Sequence, residues 1–197
     1  MNIANFFTAT RMIAAPLFIM LYYLPRYVGI SEQTVILILV PLFIYMEFTD
    51  FLDGYYARKL KQVSDFGKLF DPFADVFANL TVLLAFMLSG YVPLPVFIII
   101  LYRELNILFL RMLARGNGIT IGAKKVGKTK TVCYILAEGF TLLIELLIAF
   151  SLVDKSITDT MIIINKGIYW IAALLSVGSF IDYLVSYRKN IHGKFKN

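Results

Sequence analysis

The stretch VFANLTVLLAFMLSGYVPLPVFIIILY, from Val76 to Tyr102, contains no Asp, Glu, Lys or Arg. A run of this length and apolarity is typical of membrane-spanning segments rather than of a water-soluble domain. Gly90, Pro93 and Pro95 interrupt the run, which predicts one span, a short turn and the start of the next span. Because lipid offers no hydrogen-bond partners to the backbone, both spans are expected to be helical.

The rest of the chain has the same character. It has 197 residues, of which 59% are hydrophobic and 16% charged, and its mean hydropathy is +0.76. We expect an all-α integral membrane bundle that forms a single domain over residues 1–197. Its six predicted transmembrane helices are Thr8–Tyr27, Gln33–Lys59, Gly67–Gly90, Leu94–Ala114, Lys128–Leu152 and Met161–Tyr187.

The distribution of Lys and Arg predicts the orientation of these spans. Of the nineteen basic residues, fifteen fall on one side, Arg26, Lys155 and Lys166 fall on the other, and Arg103 lies within a span. The side with excess positive charge is normally cytosolic, so both termini are expected in the cytosol. The formal charge of +6 suits contact with anionic lipid, and we expect no nucleic-acid partner.

Four aspartates precede the uncharged stretch: Asp50, Asp53, Asp71 and Asp75. Spacings of three and four residues place each pair on one helix face, so two facing helices could direct all four carboxylates at one point. Oxygen ligands of this kind suit Mg²⁺ or Mn²⁺, and such cations usually serve phosphates. Carboxylates at the edge of a membrane are costly, which favours a functional role.

The aspartates belong to a longer pattern. It reads Asp50-Phe-Leu-Asp53-Gly54-Tyr-Tyr-Ala57-Arg58, then eight residues, then Gly67-Lys-Leu-Phe-Asp71-Pro-Phe-Ala-Asp75. This resembles, at every fixed position, the signature of the CDP-alcohol phosphotransferases. Further segments resemble the phosphatidylglycerophosphate synthase branch of that family, so the resemblance covers nearly the whole chain: Asn2–Arg11, Asp65–Asp75, Arg103-Glu104, Arg111 and Gly127–Thr131.

The resemblance implies a membrane enzyme that transfers a phosphatidyl group from CDP-diacylglycerol to sn-glycerol 3-phosphate and releases CMP. It implies two Mg²⁺ or Mn²⁺ ions held by the four aspartates, and a homodimer. We take Asp71 and Asp75 as the catalytic pair, with Asp75 as candidate general base. The distribution of Lys and Arg predicts that the active site faces the cytoplasm. The implied CDP-binding residues are Asp53, Gly54, Ala57, Arg58 and Gly67.

A second group of residues is basic. Arg103 follows the long uncharged run and lies eight residues before Arg111, roughly on one helical face. With Lys128 and Lys130 these arginines could bind the phosphate of the acceptor. The alternative is that the cations only reflect the excess of positive charge on the cytosolic side, which does not account for Arg103.

Two departures from the resembled branch bear on the acceptor. That branch usually has Pro where this chain has Ala4, and Lys where this chain has Val76. A missing Lys beside the acceptor site leaves serine, inositol phosphate and choline open as alternative acceptors.

Two other interpretations of the aspartates remain. They could pair with neighbouring cations and only stabilise a turn, or they could form the ion path of a small cation transporter. A transporter predicts acids near the middle of the membrane, and it gives no reason for Gly54, Ala57 and Arg58. The neighbouring cations with which the aspartates could pair are Arg58, Lys59, Lys61 and Lys68.

Two glutamates, Glu138 and Glu145, share a face of the fifth span. We expect them to pair with arginine inside the bundle.

Overall fold

The computed structural model describes residues 3–59, 67–116 and 125–194. These residues form helices and no strands, which confirms the predicted all-α class for this part of the chain. The helices are α1 (Ile3–Tyr23), α2 (Pro25–Val28), α3 (Glu32–Lys59), α4 (Gly67–Leu88), α5 (Leu94–Gly116), α6 (Lys125–Ala149) and α7 (Lys155–Lys194).

Five of the described helices are long and apolar enough to cross a membrane: α1, α3, α4, α6 and α7. The sequence predicted a sixth span in α5, which has 23 residues. Four charged residues, Arg103, Glu104, Arg111 and Arg115, lie between its middle and its end, so α5 meets the length requirement, but a membrane-spanning stretch of it would include at least three charges. A multi-pass membrane protein is therefore supported, while six spans and two cytosolic termini stay predictions.

Two helices differ clearly in extent from the predicted spans. The first span was predicted to continue to Tyr27, but α1 ends at Tyr23 and Pro25 begins the short helix α2. Proline lacks the amide hydrogen that would continue the helix, whereas it is well tolerated in a first turn. At the other end of the chain, α7 extends well beyond the predicted Met161–Tyr187 on both sides.

The predicted turn between the third and fourth spans is present. The amide of Gly90 donates to the carbonyl of Met87, and the amide of Tyr91 donates to the carbonyl of Phe86 at 2.9 Å. This is the hydrogen-bond pattern of a Schellman cap, which requires a left-handed residue, and Gly90 has φ 85°. The turn sends α5 back along α4.

The six long helices form a closed ring. Going round it, the neighbours are α1, α3, α6, α7, α5 and α4, and α4 packs against α1. The core is filled by apolar side chains such as Phe18 and Phe86, whose rings meet edge to face with centroids 6.0 Å apart. Because α3 and α4 both pack on α1, their aspartates face the same side of that helix.

The pairing expected for the two glutamates of α6 is wrong. Glu145 accepts a hydrogen bond from the Tyr22 hydroxyl at 2.6 Å rather than from an arginine. Glu138 is 1% exposed, and neither of its carboxylate oxygens has a hydrogen-bond partner among the described residues. Helical periodicity correctly placed both residues inside the bundle, but it carries no information on which side chain of another helix lies opposite.

Candidate metal and phosphate site

The four aspartates meet where α3 and α4 approach α1. Asp50 and Asp53 lie on α3, and Asp71 and Asp75 lie on α4. Carboxylate oxygens of Asp50, Asp53 and Asp71 all lie within 4.8 Å of one another. One helix therefore supplies each pair of aspartates, as their spacing predicts.

A buried arginine that sequence reasoning missed lies at the centre of this cluster. Arg11 of α1 is 3% exposed, and its guanidinium contacts all four carboxylates. The distances are 2.5 Å from Nη1 to Asp50, and 3.0, 3.1 and 2.7 Å from Nη2 to Asp53, Asp71 and Asp75. The sequence predicts Arg11 on the cytosolic side and in a segment that resembles the family, but it does not indicate that the side chain reaches the aspartates.

A neighbouring hydroxyl completes the contact between α1 and α3. Oγ1 of Thr8 donates to Oδ2 of Asp53 at 3.2 Å, the oxygen that also accepts from Arg11. Thr8 and Arg11 are three residues apart and so share a helix face. A polar pair with this spacing on a largely apolar N-terminal helix was the signal available in the sequence.

The charge of the cluster suits additional cations. Four carboxylates surround one guanidinium, so these five side chains together carry a formal charge of −3. The side chains of Asp50, Asp71 and Asp75 remain 48%, 43% and 43% exposed, so their outer faces are open to a ligand. Hard oxygen donors, close spacing and excess negative charge together fit Mg²⁺ or Mn²⁺.

The structure describes the other predicted CDP-binding residues only in part. Gly54 follows Asp53 on α3, and Gly67 is the first residue of α4. The backbones of Ala57 and Arg58 belong to α3, but their side chains lie outside the described structure. Among the cations proposed as structural partners of the acids, the ammonium of Lys59 lies over the ring of Tyr55 at 5.2 Å.

One cavity of about 400 Å³ joins the aspartates to the predicted basic residues. Asp50, Asp75 and Arg11 line one part of it. The other part is lined by Arg103, Glu104, Arg111, Lys130 and Asp182. Lys128 is on α6, and its side chain lies outside the described structure.

Two further residues line this cavity close to Asp75. Val76, where the resembled branch usually has Lys, is one of them. The other is Asn79, one turn beyond Asp75, whose buried Oδ1 has no hydrogen-bond partner among the described residues. An amide oxygen of this kind can accept a hydrogen bond from a ligand hydroxyl.

The basic part of the cavity is organised by a carboxylate. Glu104 accepts hydrogen bonds from Nη1 of Arg103 at 2.7 Å and from Nζ of Lys130, and all three residues are at most 8% exposed. Arg111 lines the same cavity and is hydrogen-bonded to Tyr183 of α7. With Asp182 included, this part carries three cations against two carboxylates.

These features define a class of protein: a multi-pass helical membrane protein whose acidic cluster and cationic patch share one cavity. The sequence profile of the CDP-alcohol phosphatidyltransferases matches residues 1–178, and the chain belongs to that family. The resemblance inferred from the aspartate pattern is therefore confirmed.

Three bacterial relatives cover almost the whole chain. The protein named CDP-diacylglycerol–glycerol-3-phosphate 3-phosphatidyltransferase in Treponema pallidum is 40% identical over 193 residues, which is 95% of this chain and 89% of the relative. The protein of that name in Bacillus subtilis is 33% identical, with 92% and 93% covered. The one in Haemophilus influenzae is 34% identical, with 93% and 91% covered.

Proposed function

We propose that this chain transfers a phosphatidyl group from CDP-diacylglycerol to the hydroxyl of sn-glycerol 3-phosphate and releases CMP. Family membership supports the reaction class, and the name shared by the relatives supports both substrates. The observation that carries the proposal is the cavity shared by the aspartates and the cations, because one part of it suits metal ions and a pyrophosphate while the other suits the phosphate of the acceptor.

The donor part is built on the aspartates. Asp50, Asp53, Asp71 and Asp75 would hold two Mg²⁺ or Mn²⁺ ions, and Gly54, Ala57, Arg58 and Gly67 would lie against the CDP group. When bound, the ions would offset the charge of the pyrophosphate and of the leaving CMP. Arg11 would hold the four carboxylates in one arrangement, since it contacts each of them.

The reaction requires one base and no covalent enzyme intermediate. The acceptor hydroxyl oxygen attacks the phosphorus that carries diacylglycerol, the bond to the CMP oxygen breaks, and the hydroxyl proton passes to a carboxylate. Asp75 is the candidate base, because it lines the cavity that reaches the cations and its side chain is 43% exposed. Asp71, one turn earlier on α4, would support it as a metal ligand.

The acceptor part is built on the cations. Arg103, Arg111, Lys128 and Lys130 would bind the dianionic phosphate of glycerol 3-phosphate, and charge-assisted hydrogen bonds are strong in a partly desolvated site. The cavity would open to the cytosol, as the distribution of Lys and Arg predicts. A homodimer is proposed from the resemblance alone.

The second candidate is the same reaction with another acceptor. It is favoured by one observation, the presence of Val76 rather than Lys on the cavity wall beside Asp75. Cation transport is less well supported, because it gives no reason for a cationic patch in the same cavity as the acids.

The deciding experiment measures CMP release from CDP-diacylglycerol by the purified full chain in detergent with Mg²⁺. The acceptors compared are glycerol 3-phosphate, serine, inositol phosphate and choline, with no acceptor as the blank. We expect CMP release with glycerol 3-phosphate and the blank level with the others. CMP release with only one of the other acceptors would overturn the acceptor assignment, and no CMP release with any of them would overturn the reaction.

A further inference from the structure

Glu104 is the centre of a buried polar cluster that joins three helices beside the catalytic cavity. It lies on α5, is 5% exposed, and pairs with its neighbour Arg103 and with Lys130 of α6. One carboxylate therefore separates two buried cations, both of which line the cavity.

Both cations also contact neutral groups. Nη2 of Arg103 donates to Oγ of Ser179 on α7 at 2.5 Å. The ammonium of Lys130 lies 4.8 Å from the ring centre of Tyr134, one turn further along α6. Tyr134 in turn donates to Ser176 of α7 at 2.8 Å. The cluster fixes α5, α6 and α7 against one another through side chains that are polar throughout.

We infer that Glu104 is a positioning residue for the acceptor phosphate, which it serves by holding Arg103 and Lys130 at fixed places on the cavity wall. This inference rests on the proposed function and deepens it. Glu104 does not itself contact the phosphate, because a carboxylate and a phosphate repel each other.

The physical reason is the mutual repulsion of two buried cations. At this burial, two positive charges close together are costly unless a carboxylate lies between them. With Glu104 in place, the cluster keeps one net positive charge and a defined geometry. A glutamine at the same position would fill the same volume but carry no charge. Its amide oxygen could accept a hydrogen bond from one cation, and its NH₂ group, which is a donor, would face the other.

The structure offers a matched control on the adjacent helix. Glu138 of α6 is also a fully buried glutamate, but the described residues give it no hydrogen-bonded cation. Glu138→Gln makes the same chemical change at similar burial. A general effect of neutralising a buried glutamate should therefore appear in both variants, whereas an effect on the acceptor site should appear only in Glu104→Gln.

The test is a KM-against-kcat comparison on the purified full chain with CDP-diacylglycerol and glycerol 3-phosphate. We expect Glu104→Gln to raise the KM for glycerol 3-phosphate by about tenfold or more and to leave that for CDP-diacylglycerol within about twofold. Glu138→Gln should leave both within about twofold. Equal changes in the two KM values for Glu104→Gln would overturn the inference.

Two further variants connect the effect to the cations and guard against misfolding. Because Glu104 acts through Lys130, the double variant Glu104→Gln/Lys130→Met should raise this KM by less than the product of the two single effects. An increase in KM equal to that product would contradict the inference. If Glu104→Gln does not fold, Glu104→Asp decides, because it keeps the charge and moves it by one methylene group. An unchanged KM for glycerol 3-phosphate in Glu104→Asp would then contradict the positioning role.

A binding measurement separates this inference from the proposed function. Inorganic phosphate should raise the thermal unfolding midpoint of the wild-type chain and of Glu138→Gln, but not that of Glu104→Gln. If the wild type releases no CMP with glycerol 3-phosphate yet shows this pattern, the proposed acceptor fails and the role of Glu104 stands. If phosphate stabilises wild type and Glu104→Gln equally, or stabilises neither, the role of Glu104 fails whatever the acceptor.

Discussion

Nη2 of Arg11 lies 2.7 Å from Oδ1 of Asp75, which joins the first helix to the candidate catalytic base. The same nitrogen is 3.0 Å from Asp53 on α3, so a single buried atom bridges three helices. A guanidinium has several donors in a fixed plane, and a lysine ammonium in its place would lack that geometry. Arg11 is therefore as much a part of the site as the aspartates themselves.

Arg11→Met should abolish activity and weaken the fold. Breaking a buried ionic network by removing one partner typically costs about 3–5 kcal/mol, because the remaining charges are uncompensated. We expect CMP release to fall by at least about a hundredfold and the thermal unfolding midpoint to drop. Arg11→Lys should fold better than Arg11→Met but remain strongly impaired, since one ammonium cannot bridge four carboxylates.

The matched control for that change is Arg26→Met. Arg26 lies in α2, with its guanidinium 4.5 Å from the ring centre of Tyr23, away from the aspartates. The CMP release of Arg26→Met should stay within about twofold of wild type. Near-normal CMP release by Arg11→Met would contradict the role assigned to Arg11.

Removal of divalent cations should stop the reaction. Four carboxylates around one guanidinium carry too much negative charge to accept a pyrophosphate unaided. Excess chelator should abolish CMP release, and Mg²⁺ or Mn²⁺ should restore it. The measurement is CMP release across a titration of each ion in wild type and in Asp159→Asn, an exposed aspartate of α7 that should behave as wild type. Full activity in excess chelator would contradict the metal assignment.

Asp75 and Asp53 should differ when each is changed to asparagine. Asp53 is 4% exposed and lies at the closed side of the cluster, whereas Asp75 lines the cavity. Asp75→Asn should abolish turnover but leave CDP-diacylglycerol binding detectable, because the base acts only on the acceptor. Asp53→Asn should weaken both turnover and donor binding, as expected for a ligand of the donor's metal. Near-normal turnover by Asp75→Asn would show that another group is the base.

The aspartates and Arg11 show what the sequence could and could not predict. Spacings of three and four residues predicted that Asp50, Asp53, Asp71 and Asp75 converge, because helical periodicity fixes which residues share a face. Arg11 lies about forty residues before Asp50, and nothing local in the chain links them. Only the packing of α1 against α3 and α4 brings the guanidinium into the cluster.

Arg103 and Glu104 also show which features the sequence predicts and which depend on packing. Charges that interrupt a long apolar run predicted a functional or paired site, because isolated charges in a membrane are costly. The sequence did not identify Lys130 as the second partner of Glu104, since that pairing depends on how α5, α6 and α7 meet. Local patterns therefore predicted the elements and the candidate residues, and tertiary packing decided the partners.

The orientation in the membrane can be tested by labelling. We expect a cysteine placed at Val28 to react with an impermeant thiol reagent on intact cells, and one placed at Lys59 to be protected until the cells are opened. Both positions are exposed, and Val28 is preferable to the adjacent Gly29, whose φ of 70° disfavours other residues. The background is Cys133→Ser, which removes the native cysteine. The reverse pattern would place the active site outside the cell.

The acceptor assignment predicts an uneven effect of losing Arg111. Arg111 lines the cavity and is hydrogen-bonded to the neutral side chain of Tyr183, so it can contribute its charge to a bound phosphate. Losing a charge-assisted contact of this kind costs about 2 kcal/mol, which corresponds to roughly a thirtyfold higher KM. Arg111→Ala should therefore raise the KM for glycerol 3-phosphate far more than that for CDP-diacylglycerol. Arg115→Ala, an exposed arginine one turn further along α5, should change neither.

Substitutions of Val76 also test the assignment of glycerol 3-phosphate as acceptor, by adding a cation to the cavity instead of removing one. Val76 lines the cavity beside Asp75, so a lysine introduced there would add a cation next to the attacking hydroxyl and the acceptor phosphate. Val76→Lys should leave the KM for glycerol 3-phosphate unchanged or lower it, whereas Val76→Met, which adds length without charge, should not lower it. A wild type that ignores glycerol 3-phosphate but releases CMP with serine, choline or inositol phosphate would leave the family assignment intact. Val76 would then be the first residue to examine as the cause of the altered acceptor, by testing whether Val76→Lys gains glycerol 3-phosphate activity.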